Sequence, residues 1–149
     1  MGLKEKIQDD IKTAMKAKDS AKVLVLRMVY SEIRRGEIDS RTDFTDEDVI
    51  KVIKRGIKSR HEAIALYKKG NRPELVEKES NEVSVLEGYM PKQLNINEIE
   101  TIVENIIAEH GLSSPKDMGT VMRHVMQKYS AQVDGKTVQE VTRLKLRPE

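Results

Sequence analysis

The chain has 149 residues, 35% of them charged, a formal net charge of +2 and no cysteine. That length suits one ordinary domain or two small ones, and the lack of cysteine excludes disulfide frameworks, thiolate metal sites and a cysteine nucleophile together. A charge of +2 is too small to draw the whole molecule to nucleic acid, so any basic patch must be local.

The start MGLKEKIQDD has no apolar stretch of signal-peptide type, and no window approaches about 18 consecutive apolar residues, so neither export nor a membrane partner is expected. A cytoplasmic location fits the missing cysteines. Leu3, Ile7, Ile11, Ala14 and Met15 predict a first amphipathic helix, and Asp19-Ser20 supplies a cap for a second over 20–38. Within the second, VLVLRMVY alone could pass for a strand. Its length and the spacing of Leu24, Met28 and Ile33 predict a largely buried helix instead.

RTDFTDED reads as a loop in which Phe44 stands alone, ending in a capping box of Thr45 and Asp48. A third helix then runs to about Lys69 and stops at Gly70. Its inner face carries Val49, Val52, Ile53, Gly56, Ile57, Ile64 and Tyr67, and its outer face Lys51, Lys54, Arg55 and Lys58. Arg60 falls in the middle of the inner face, where a charge needs a partner, and this predicts an ion pair with Glu79 or Glu82. Pro73 at a first helical position starts a fourth helix through about Gly88.

YMPKQLN breaks the pattern, because Pro91 cannot continue a helix and restricts Met90 before it. It is the expected boundary between residues 1–90 and 91–149. Asn95 with Glu98 caps a fifth helix ending at His110-Gly111; Ser114-Pro115-Lys116-Asp117 starts a sixth; Thr137 with Glu140 caps a short last one. The expected class is therefore all-α and multihelical, with an N-terminal four-helix domain and a C-terminal three-helix domain.

Catalytic chemistry finds little to stand on. HEAIA at 61–65 lacks the second histidine of a zinc-protease helix, and His61, His110 and His124 have no ligand spacing. No GxxxxGK[ST], GxGxxG or GxSxG is present, and the acid pairs lie near helix starts or on exposed faces. No catalytic residue, metal site or cofactor is expected.

The order of several short motifs carries a resemblance. YMPKQL, then DMGTVM about 28 residues later, then DGK at 134–136, accompanied by AMKAKD, LRM, KSR and GNRPEL…LEGYMP upstream, is similar to the GatB/YqeY family. The resemblance implies a multihelical fold in two parts, the second similar to the tail of the B subunit of the tRNA-dependent amidotransferase. In that enzyme the tail contacts tRNA while the transamidation chemistry sits elsewhere. An amidotransferase (carbon–nitrogen ligase) activity enters only as an analogy of fold. The chain departs from the family at one turn. SAQVDGK stands where a Gly-Arg-Ala-Asp-Gly turn is typical, with Ala131 and Gln132 at the glycine and arginine positions.

DMGTVM also places a glycine in the first turn of the sixth helix, at the edge of an apolar stripe, where it costs about 1 kcal/mol against alanine. Either a crossing helix or an approaching phosphate accounts for Gly119, and packing is the expectation. Residues 91–115 carry net −3 and residues 116–149 net +3. If Lys116, Arg123, Lys136, Arg143 and Arg147 converge, side chains and helix N-terminal amides meet phosphate oxygens there. The expected RNA-binding set is Lys116, Gly119, Arg123, Lys136 and Arg143. It serves a non-catalytic accessory module that binds tRNA, another structured RNA or a tRNA-handling enzyme. The alternative is a protein-interaction adaptor using an apolar groove, with no RNA contact.

Overall fold

The computed structural model of the protein describes residues 2–146. Its described residues form seven α-helices and no strand: α1 Leu3–Lys16, α2 Ser20–Ser40, α3 Asp46–Lys69, α4 Pro73–Glu87, α5 Ile96–His110, α6 Met118–Tyr129 and α7 Gly135–Lys145. A single 3₁₀ turn, Pro115–Asp117, precedes α6. None of these helices is long and apolar enough to cross a membrane. The chain divides into two compact units, Met1–Met90 and Pro91–Glu149.

In the first unit α1 packs along α2 and α3 along α4, while α2 also meets α3 and α4. Local chemistry sets most of the helix ends. Asp19 accepts a hydrogen bond from Lys22 N at the start of α2, and Thr45 and Asp48 form the capping box of α3. Pro73 occupies the first turn of α4.

The buried face of α2 differs from the expected one. Leu26, Val29 and Ile33 enter a core with Ile7, Val49, Val52, Ile53 and Leu86, whereas Leu24 and Met28 are exposed. Over residues 23–30 this helix is apolar on almost every side, so spacing alone cannot choose between its faces. The true core stripe continues to Glu37, a buried carboxylate whose charge disguises the pattern.

Glu37 organises the end of α2. Lys4 Nζ donates to its two oxygens at 2.8 and 3.0 Å, Arg34 Nη1 at 3.0 Å and Phe44 N at 2.8 Å. The bond from Lys4, followed by that from Phe44 N–H, holds the carboxyl at about 2, well below its ordinary 4.5, and outweighs the opposing effect of burial. Phe44 does not stand alone in its loop. Its ring packs against the core and lies over Gly36, where an added Cβ would collide with the ring.

The arginine on the inner face of α3 finds its acid on α4. Arg60 Nε donates to Glu82 Oε1 at 3.0 Å, and its Nη1 donates to Gly56 O at 3.0 Å. On the outer face Lys51, Arg55 and Lys58 are exposed, and Lys54 is half-buried and engaged.

The second unit is a three-helix bundle in which α5, α6 and α7 all pack on one another. Its core is dominated by valine: Val103, Val121, Val125, Val133, Val138 and Val141, with Ile99 and Leu146. Asn95 and Glu98 cap α5, and Gly111 ends it with φ +63°, a conformation that glycine adopts without strain.

Ser114 and Pro115 start the sixth helix as expected, through a 3₁₀ turn, whereas the start of the last helix differs. The 3₁₀ turn carries α6 backwards, with Asp117 N bonded to Ser114 O and Met118 N to Pro115 O. The last helix begins at Gly135 behind Asp134, not at Thr137. Burial of Val133 fixes the chain just before that point, and the Thr137 hydroxyl donates back to Asp134 Oδ2 at 3.2 Å.

Candidate nucleic-acid interface

α6 buries Val121 and Val125. At 100° per residue the opposite stripe is Gly119, Arg123 and Gln127, all exposed. Lys116, in the turn ahead of the helix, is exposed as well. α7 buries Val138, Val141 and Thr142, so Lys136 and Arg143, seven residues apart and within about 20° in angle, share its outward side. They stand about 10 Å apart along the axis. Among the described residues, none of these four cations has a carboxylate within ion-pair distance. Arg147 lies outside the described residues. The structure thus sets the expected residues on two outward stripes, one per helix.

Gly119 corrects the packing expectation. A Cβ built there meets nothing within 4 Å, so no crossing helix explains the glycine. Open space surrounds it.

The helix N-termini contribute unequally to this surface. At α6 the 3₁₀ turn already uses the leading amides, and Asp117 Oδ2 accepts from Ser113 N at 3.1 Å and Ser114 N at 3.3 Å. Those two backbone donors, Ser113 first, hold the Asp117 carboxyl below its usual range. At α7 the Asp134 side chain makes no capping bond to the backbone, and Lys136 sits in the first turn. Anion binding by backbone amides therefore favours α7, and side chains must carry it at α6.

The turn that departs from the family pattern has internal work. Gln132 Nε2 donates to Lys92 O at 3.3 Å, Gln132 O accepts from Leu94 N at 2.8 Å and Gln93 Nε2 donates to Ala131 O at 2.9 Å. Gln132 thus ties the stretch after Pro91 to the α6–α7 turn.

Sequence spacing missed one constellation. His110 at the end of α5 and His124 on α6 stack with centroids 4.3 Å apart and planes inclined by 15°. They line a cleft of about 710 Å³ with Ile102, Ile106, Lys128 and Tyr129. Fourteen residues separate the two rings, so no local motif announces them. Among the described residues, no group of three or more histidines and carboxylates is placed to hold a metal ion.

These features define an all-α protein of two helical units whose C-terminal bundle carries outward-facing cations on two helices. The chain belongs to the Yqey-like protein family, whose model matches residues 4–146. Among curated relatives it is 42% identical over 84 residues to altered inheritance of mitochondria protein 41, mitochondrial, of Kluyveromyces lactis, a match covering 56% of this chain and 45% of that protein. The proteins of the same name in Pyrenophora tritici-repentis and Lachancea thermotolerans are 29% and 32% identical over 136 and 113 residues. Those matches cover 89% and 73% of this chain, and 72% and 60% of the relatives. The chain thus spans between about half and about seven-tenths of the length of these proteins.

Proposed function

We propose that this chain is a non-catalytic accessory module that binds structured RNA, tRNA in the first instance, through the outward side of α6 and α7. The observation that carries the reading is Gly119. It is an exposed helical glycine with open space around it, flanked by Lys116 and Arg123. A residue that destabilises its own helix and serves no internal packing is accounted for by a partner that must approach the backbone closely. Four exposed cations make a phosphate surface the chemically matched partner. Few aromatic rings are available for base stacking, so the RNA is read by shape and phosphate rather than by sequence.

Filter binding of tRNA at several salt concentrations tests the proposal. Affinity should fall steeply with salt, and each of Lys116→Ala, Arg123→Ala, Lys136→Ala and Arg143→Ala should lower the log–log slope by about 1. A salt dependence no steeper than that of an unrelated neutral protein, or variants indistinguishable from wild type, would remove the reading. Pull-down with and without ribonuclease separates it from a protein adaptor, whose partners survive the digestion.

A further inference from the structure

On α2, one helix face fills the core, and the N-terminal half of the opposite face also carries apolar residues. Leu24 is 55% exposed and Met28 47%, and they are neighbours at i and i+4. Arg27 lies between them in sequence, and its Nη2 donates to Met15 Sδ at 3.4 Å, which brings the 51%-exposed Met15 of α1 onto the same surface. Beside Leu24 a cleft of about 320 Å³ runs between α2 and α4, floored by Val25 and Val85. A helix segment that is apolar on several sides is normally enclosed. Here one side has no cover.

The charge around this surface selects what covers it. Lys22 and Lys78 stand at the cleft and Arg27 beside it. The carboxylates that line the cleft are engaged internally: Asp19 caps α2 through Lys22 N at 3.2 Å, and Glu82 holds Arg60 at 3.0 Å. Arg60 balances Glu82 while Asp19 keeps its charge, so Lys22, Lys78 and Arg27 leave the surface with a positive excess for an incoming partner. A second copy of this chain would bring a face with the same positive excess against it. A bilayer is too flat to enter a cleft between helices. An RNA backbone gains nothing from leucine and methionine side chains.

We infer that the Met15–Leu24–Met28 surface and the adjoining α2–α4 cleft form a docking groove for an acidic amphipathic helix of a partner protein. Apolar anchors of that helix at i, i+4 and i+7 would cover Leu24 and Met28 and reach the cleft, while its carboxylates meet Arg27, Lys22 and Lys78. Methionine suits such a groove because its unbranched thioether adapts to differently shaped anchors. The inference is independent of the RNA reading, since it concerns the other unit and other residues.

The test is fluorescence anisotropy with the whole chain and a labelled synthetic 20-residue helix that has leucine on one face and glutamate on the other. A matched peptide with lysine in place of glutamate is the control. The acidic peptide should bind and the basic one should not. Leu24→Ser with Met28→Ser should weaken binding by about tenfold or more, the loss expected when central apolar anchors lose their partners. Arg27→Glu, read separately, should shift the preference toward the basic peptide. Both variants alter exposed side chains, and unchanged thermal melting shows that they fold. Failure of the acidic peptide to bind, equal binding of both peptides, or wild-type affinity in the variants overturns the inference. So does a dimer in sedimentation, or binding to phosphatidylglycerol vesicles, that the same substitutions abolish.

Discussion

Replacing Glu37 by glutamine removes one negative charge while keeping the side-chain shape, and the result follows from the four bonds that the carboxylate accepts. Its carboxyl stands at about 2 instead of 4.5, a difference worth about 3 kcal/mol in favour of the charged form at neutral pH. Arg34 is half exposed and water screens its share, so the expected loss in Glu37→Gln is about 2 kcal/mol. The folded value is the lower one, so this stability is fully present above pH 4.5 and is lost as the pH falls from there toward 2. Urea denaturation of wild type and variant at pH 7, 4 and 3 reads the effect directly. The gap should be widest at pH 7 and more than half closed at pH 3. A gap that stays constant across that range would refute the electrostatic account and reduce Glu37 to a packing residue.

Gly36→Ala forces a Cβ into the Phe44 ring and should cost about 1–3 kcal/mol, the usual range for overpacking, as a lower urea midpoint with unchanged slope. Arg60→Met alone should destabilise by about 3 kcal/mol because it leaves Glu82 nearly buried and unpaired, whereas Arg60→Met with Glu82→Leu should recover most of that loss. Additive effects in that double-mutant cycle would show that the pair is not coupled. Gly119→Ala should raise the stability of the protein by about 0.5–1 kcal/mol in thermal unfolding, since nothing obstructs the new methyl group. A drop instead would mean that the glycine serves the fold after all.

Helix positions and most of their ends were readable from the chain because they depend on residues within four positions of each other. Thr45 with Asp48, Asn95 with Glu98 and Pro73 all act locally. Arg60 was readable for a related reason: a charge in the middle of an apolar stripe demands a partner, and only the fourth helix supplied nearby acids. The buried face of α2 was not readable, because Leu24 and Met28 satisfy helical spacing as well as Leu26 and Val29 do. Phe44 belongs to no period, so its place over Gly36 depends on how the loop folds back. In the C-terminal unit, periodicity could put Lys116, Arg123, Lys136 and Arg143 on polar faces. The open space around Gly119 and the stacking of His110 on His124 arise between elements and leave no trace within one.

The prevalence of valine in the C-terminal bundle bears on how that unit behaves. In a helix a valine holds essentially one side-chain torsion, so Val121, Val125, Val138 and Val141 surrender their torsional freedom on folding and, once folded, admit few alternative arrangements. Short side chains also limit the oily area that each core position withdraws from water. Such a unit is sharply defined in shape but shallow in reserve. Any partner that grips its folded form will raise its melting temperature in proportion to the logarithm of that partner's concentration.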